Sequence, residues 1–178
     1  TRAVITEYDK NKKMTDEKPA LTFQQGIIFG NIKGSTPSEV LHNFLHQAKA
    51  DHYICLQNYL SPSPEIDAAV NRLREMLARK YALPVTCGYG PRYLHSTGQL
   101  HKGDSGNGLF IQLTQNNALD LDIPDEIGRE KSSLSFGALK DAQAKGDFQA
   151  LTEKKRRIIR IHFKKDPTDG LNTIVNFF

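Results

Sequence analysis

The chain has no tryptophan and only two cysteines in 178 residues. Two thiols cannot build a disulfide framework, and neither Cys55 nor Cys87 stands in a Cys/His spacing that would hold zinc. Both lie in apolar stretches that read as strands, so buried free thiols of a reducing, cytoplasmic compartment are expected. No apolar run approaches the roughly 18 residues of a membrane-spanning helix. No secretory leader is legible, and a first residue of Thr rather than Met suggests a processed chain, a trimmed one or a piece of something longer. Internal repeats and low-complexity segments are also missing. The absent tryptophan bears on the charge as well. The net charge is +4, concentrated in Lys154-Lys155-Arg156-Arg157 and Lys164-Lys165. A basic chain can attract nucleic acid, but no aromatics interleave with these runs, so the stacking platform of a single-strand binder is lacking. Nucleic acid is therefore not expected as a partner; a sugar phosphate or a solvated helix end accounts for the charge.

What is present is globular: 38% hydrophobic and 25% charged residues. A chain of this length buries about 70% of its unfolded surface in one domain. Residues 8–18 read as a solvated loop, and Ala20 to Ile32 as a short strand or hairpin docking on the core. Thr36-Pro37-Ser38-Glu39 is a helix start, with a capping hydroxyl, a proline suited to the first turn and a glutamate to complete a capping box. On that helix His42 and His46 lie four apart, a spacing that can bind metal, but no acidic third ligand accompanies them, so a polar helix face is the reading and no metal is expected. Tyr53 to Leu60 reads as a buried strand, Ser63-Pro64 caps a long amphipathic helix to Tyr81, and Pro84 to Cys87 reads as the next strand. This β-α-β unit predicts parallel pairing. Leu109 to Thr114 is another strand, and Leu119 to Ile123 reads as a short edge strand. Phe136 to Gly146 predicts a helix, with Asp147 capping a second one. Arg157 to Phe163 alternates as a half-buried strand, and the tail after Lys164 reads as edge-pairing or poorly ordered.

The chemistry is concentrated in Gly88-Tyr89-Gly90-Pro91-Arg92-Tyr93-Leu94-His95-Ser96-Thr97-Gly98-Gln99-Leu100-His101-Lys102-Gly103. This loop-like run holds two histidines, an arginine, a lysine, two hydroxyls and an amide among four glycines. It leaves the carboxyl end of the predicted second strand, where ligands bind in open α/β sheets.

The run resembles, nearly residue for residue, a segment of the fused transaldolase–glucose-6-phosphate isomerase family. The resemblance extends through Asp51 to Glu65, Leu109 to Leu113, Ser135-Phe136-Gly137-Ala138-Leu139-Lys140-Asp141-Ala142-Gln143-Ala144-Lys145-Gly146-Asp147 and Arg157 to His162. It spans about Ser35 to His162. It implies a three-layer αβα domain with a mostly parallel sheet over residues 35–164, an N-terminal extension over 1–34 and a tail over 165–178. It implies aldose–ketose isomerisation of glucose 6-phosphate and fructose 6-phosphate through a cis-enediol, with no metal or organic cofactor. Such chemistry needs an acid to open the sugar ring, a base to move a proton between C1 and C2, and positive groups to steady the enediolate.

Ser96-Thr97-Gly98-Gln99-Leu100-His101 is similar to the segment ending in the ring-opening histidine of other glucose-6-phosphate isomerases, with one extra residue. The resemblance therefore implies His101 as that acid, with His95 as the rival, and Lys140 as the site lysine. Arg92 and Lys102 are implied as charge-neutralising groups, and Ser96, Thr97 and Gln99 as partners of sugar hydroxyls. The family's glutamate base and main phosphate grip lie upstream of this region, with the transaldolase half, and Glu39, Glu65 and Glu75 lack the right surroundings to replace the base. The implied partners are a sugar phosphate and the upstream isomerase and transaldolase domains of the same polypeptide. Other members of the wider isomerase group build each site from two subunits, which implies a homodimer of the full chain. The expectation is that these 178 residues alone do not isomerise sugar phosphates. A non-catalytic sugar-phosphate-binding module is the alternative.

Overall fold

Helix α1 (Pro37–Leu45) begins where its capping signal predicts. The structure, a computed structural model, describes residues 18–128 and 131–178, so the reading of 8–17 as a loop falls outside the described residues. The Thr36 hydroxyl accepts from Glu39 N at 3.2 Å, and the Glu39 carboxylate reaches back to Ser35 N at 2.8 Å. Helix α2 (Pro64–Tyr81) repeats the device with Ser63, whose Oγ accepts from Ile66 N. Between them runs strand β3 (Tyr53–Asn58), and after α2 comes β4 (Val85–Tyr89), parallel to β3 as predicted.

A hairpin of β1 (Leu21–Thr22) and β2 (Gly26–Phe29) docks at the other end of the sheet, antiparallel to β8 (Arg157–Phe163). With β5 (Gly108–Gln115) the six strands run in the order β1-β2-β8-β5-β3-β4. The four central and C-terminal members β8, β5, β3 and β4 are parallel to one another. Helices cover both faces, which gives a three-layer αβα fold with a mostly parallel sheet. A separate two-stranded ribbon pairs β6 (Asp122–Pro124) with β7 (Ser132–Ser135), so the strand read over Leu119 to Ile123 is confined to its end and lies outside the main sheet.

The two faces of the sheet differ in chemistry, and alternation along the strands dictates which residues share each face. One face presents Ile54 and Leu56, Leu109, Ile111 and Leu113, and Ile159, Ile161 and Phe163. These form one apolar core with α1, α2 and α5 (Pro167–Val175). Each such side chain, once fully buried, contributes about 1.5–3 kcal/mol. The opposite face presents Cys55, Gln57, Phe110, Gln112, Thr114, Arg160 and His162 toward α3 (Thr97–Gly103) and α4 (Phe136–Glu153).

Three local readings are corrected. The tail forms helix α5 instead of a strand or a loose end: Asp166 caps it by accepting from Thr168 N and Asp169 N, and Leu171 and Ile174 enter the core. Its Asp169-Gly170 pair, a turn signal in isolation, is helical because α5 lies directly on Phe163, where a Cβ at Gly170 would come within 2.3 Å of the ring. The segment from Phe136 to Glu153 is one helix, with Asp147 buried in its interior instead of capping a second one. Cys87 is exposed, because β4 is an edge strand; Cys55 is buried as expected. No described helix is long and apolar enough to cross a membrane.

Candidate functional site

The glycine-rich run is mostly helical. A 3₁₀ turn (Arg92–His95) follows β4, and α3 follows it, carrying the chain back across the sheet face to the start of β5. The run thus leaves the carboxyl end of β4 as expected but spends most of its length over the sheet face. Tyr93, Gly98 and His101 are turned inward. Arg92, His95, Ser96, Thr97, Gln99 and Leu100 are exposed, which leaves an outward face rich in hydrogen-bonding groups.

Beneath α3 lies a buried polar network. Tyr93 donates its hydroxyl proton to Asp147 Oδ2 at 2.8 Å, and Lys102 Nζ pairs with Asp147 Oδ1 at 2.5 Å. The Tyr59 and Tyr93 hydroxyls are 3.3 Å apart. Asp147 is almost wholly buried while Lys102 is about one-fifth exposed, so the cation spans from interior to surface. Burial, reinforced by Tyr59 and Asp147, pushes the Tyr93 phenol far above its ordinary range, so it remains a donor.

His101 sits deeper, only 5% exposed, with its ring against Phe110 and Tyr93. Nδ1 lies 3.5 Å from Gln57 Nε2, and Nε2 lies 3.6 Å from Cys55 Sγ. Burial lowers its pKa, against the raising effects of Asp147 and Asp104 and in concert with Lys102. The downward shift favours the neutral ring, and both ring nitrogens face β3.

The basic run at the start of β8 has an internal job. Arg156 Nη2 donates to the carbonyls of Lys102 and Asp104 at 3.0 and 2.6 Å and pairs with the Asp104 carboxylate at 3.2 Å. Tyr53 donates to the same carboxylate at 2.8 Å. Arg157 donates to the carbonyls of Gly106 and Gln47 and faces His52. Two arginines thus pin the segment that ends α3.

Lys140 occupies a second cluster just beyond β5. Its Nζ donates to Asn117 Oδ1 at 2.6 Å and lies 3.6 Å from Asp141 Oδ1, while Asn117 Nδ2 donates to Asp141 Oδ2 at 2.8 Å. Burial raises the Asp141 pKa, with Lys140 and Asn117 opposing. Asp120 ties the start of α4 to this loop by accepting from Gly137 N and the Ser135 hydroxyl. Lys140 and Asp147 lie seven residues apart on one face of α4, roughly 10 Å along its axis.

Of the residues the sequence singled out, the structure ties Lys102 into the buried Asp147–Tyr93 network and packs the His101 ring against Tyr93. It places Arg92, His95, Ser96, Thr97 and Gln99 together on the solvent side of the same segment, and Lys140 in a cluster of its own. The His42 and His46 rings lie 6.1 Å apart, His42 also contacts Phe178, and among the described residues no group of three or more His, Cys, Asp or Glu is placed to hold a metal. Tyr59, Gln57 and Gln112 were not singled out, and Tyr93, Asp147 and Arg156 were read only as a member of the run, a helix cap and part of a basic run. The legible signal was a glutamine at the same register of two otherwise apolar strands, Gln57 opposite Gln112.

No protein-family model and no curated protein matches the sequence. The fold is similar to that of hypothetical protein TT0462 from Thermus thermophilus, with a TM-score of 0.65 at 15% identity. The match covers 79% of this chain and 37% of that one, so the likeness is one of fold and spans little more than a third of the Thermus protein.

Proposed function

We propose that this chain is part of a cytoplasmic glucose-6-phosphate isomerase, interconverting glucose 6-phosphate and fructose 6-phosphate, whose glutamate base comes from outside these 178 residues. The observation that carries the reading is the outward face of the 3₁₀ turn and α3. Arg92, His95, Ser96, Thr97 and Gln99 are presented together on a segment braced from below by the Lys102–Asp147–Tyr93 network. Such a set can grip the hydroxyls and the charge of a sugar phosphate. Lys140, on α4, is held by Asn117 just past the end of β5, while His95 follows β4; only β3 lies between these two strands, whose ends are roughly 10 Å apart. The geometry favours His95 over His101 as the ring-opening acid, because a proton donor must reach the ring oxygen and both nitrogens of His101 face β3. Lys140 steadies the enediolate.

Three carboxylates contact or adjoin the run and each is engaged, Asp67 by Tyr89, Asp104 by Tyr53 and Arg156, and Asp147 by Tyr93 and Lys102, so none of them is a free base. The same observation favours the second reading, a non-catalytic sugar-phosphate-binding module. Isomerase assays on the polypeptide that carries this segment in its source cell separate the two. Turnover that falls roughly 10²–10⁴-fold in His95→Ala, with KM nearly unchanged, is expected. A polypeptide that binds fructose 6-phosphate without turnover is the binding module. Full activity in His95→Ala would remove His95 from the chemistry.

A further inference from the structure

Four buried side chains stand in line between α3, the sheet and α4. Gln112 Nε2 donates to the Ala144 carbonyl at 3.0 Å. Gln57 Nε2 faces His101 Nδ1 at 3.5 Å, and His101 Nε2 faces Cys55 Sγ at 3.6 Å. Both glutamines are fully buried, and among the described residues the Oε1 of each has no hydrogen-bond donor. Two orphaned carbonyl oxygens on neighbouring strands are an imbalance that folded proteins rarely tolerate. Gln57 and Gln112 are register partners on neighbouring parallel strands and point to the same face. Adjacent strands lie about 4.8 Å apart, within reach of two glutamine side chains.

One change pairs both oxygens and moves no backbone. A primary amide has nearly the same outline either way round. Turned over, Gln57 sets Oε1 against His101 Nδ1 and aims Nε2 at Gln112 Oε1. An amide oxygen only accepts, so Nδ1 must carry the proton of the neutral ring, and Nε2 is left as a bare acceptor. Cys55 supplies the donor for it. Burial pushes that thiol up to about 12, so Sγ keeps its hydrogen. The opposite arrangement, with the proton on Nε2, aims it at a thiol sulfur, a weak acceptor, and leaves both glutamine oxygens unpaired.

We propose that Cys55, His101, Gln57 and Gln112 form one directed hydrogen-bond chain that ends on the Ala144 carbonyl and fixes His101 as its Nδ1–H tautomer. The chain runs Cys55 Sγ–H to His101 Nε2, His101 Nδ1–H to Gln57 Oε1, Gln57 Nε2–H to Gln112 Oε1, and Gln112 Nε2–H to the Ala144 oxygen. It fastens α3 to β3 and β3 to β5 through side chains, and β5 to α4 through the Ala144 carbonyl. His101 is then a positioning residue that sets the height and rotation of α3 on the sheet, and with it the outward face. The chain holds whatever ligand that face takes, so it stands apart from the isomerase reading.

The test is nitrogen-15 NMR of the histidine rings in the uniformly labelled 178-residue chain at neutral pH, with the His101 signals assigned by their loss in His101→Asn. The expected result is a protonated, pyrrole-type Nδ1 and a bare, pyridine-type Nε2. A protonated Nε2, or an averaged mixture of both tautomers, overturns the chain. In Gln57→Leu the acceptor is gone and the His101 signals are expected to move to a mixture; an unchanged Nδ1–H tautomer would show that Gln57 does not set it. If that variant does not fold, Gln57→Glu keeps the size and adds a charge against Nδ1. It is expected to raise the His101 titration midpoint, and an unmoved midpoint contradicts the contact.

Discussion

Replacing Asp147 by alanine removes the carboxylate that joins α4 to the segment carrying α3. Two interactions go at once: the Tyr93 hydroxyl at 2.8 Å and the Lys102 ammonium at 2.5 Å. A hydrogen bond to a buried charged group contributes about 1.5–3 kcal/mol. The ion pair is discounted to about 1 kcal/mol, because Lys102 retains about one-fifth of its side-chain surface in solvent and can swing outward. The stranded Tyr93 hydroxyl keeps the Tyr59 oxygen at 3.3 Å, which limits its penalty. The total is a loss of about 2–4 kcal/mol, or a fall in Tm of roughly 5–15 °C for a chain of this size. Urea unfolding at neutral pH measures the first figure and thermal unfolding the second. Asp147→Asn preserves an acceptor for Tyr93 and is expected to lose about half as much. A double-mutant cycle between Asp147→Ala and Tyr93→Phe is expected to return a coupling of about 1–2 kcal/mol. An Asp147→Ala variant within about 0.5 kcal/mol of the parent would refute the claim that this carboxylate braces the segment.

His101 has a folded-state pKa below its ordinary value, so the unfolded chain takes up its proton first. Stability is then expected to fall as pH drops below about 6.5; His52 shifts the same way through burial and Arg157, so the His101 share is the part of the slope that His101→Asn abolishes in unfolding titrations. Gly137→Ala, normally a gain of about 1 kcal/mol in a helix, is expected to destabilise by about 1–2 kcal/mol in urea unfolding. The added Cβ would lie 2.5 Å from Asp120 Oδ2 and 2.6 Å from Asn117 Nδ2, breaking the loop that holds Lys140. Arg156→Lys keeps the charge but loses the planar guanidinium whose Nη2 reaches Lys102 O, Asp104 O and the Asp104 carboxylate; hydrogen exchange is expected to speed up in residues 102–107 and stay unchanged in α2.

The layers of the fold were legible because periodicity and capping are local. Thr36, Ser63 and Pro64 announced their helices, and the run from Tyr53 to Cys87 announced a parallel pair. The tail was not, because Asp169-Gly170 reads as a turn until Phe163 is known to lie beneath it. Asp147 was misread for a related reason. An aspartate after a glycine looks like a cap, and only the distant Tyr93 and Lys102 make it a buried helix residue. At the candidate site, the sequence singled out the run but could not sort its faces. Which of His95 and His101 meets solvent depends on how α3 rolls onto β3, a tertiary matter. The basic run misled most: Arg156 and Arg157 look like a surface patch and spend their donors on backbone carbonyls.

The central claim is that the outward face of α3 takes a sugar phosphate. Titrating the nitrogen-15-labelled chain with fructose 6-phosphate, and separately with unphosphorylated fructose, tests it most directly. The account predicts saturable shifts at Arg92, His95, Ser96, Thr97 and Gln99 with the phosphate ester and none with the free sugar. No shift at millimolar fructose 6-phosphate, or shifts centred away from this face, would contradict it.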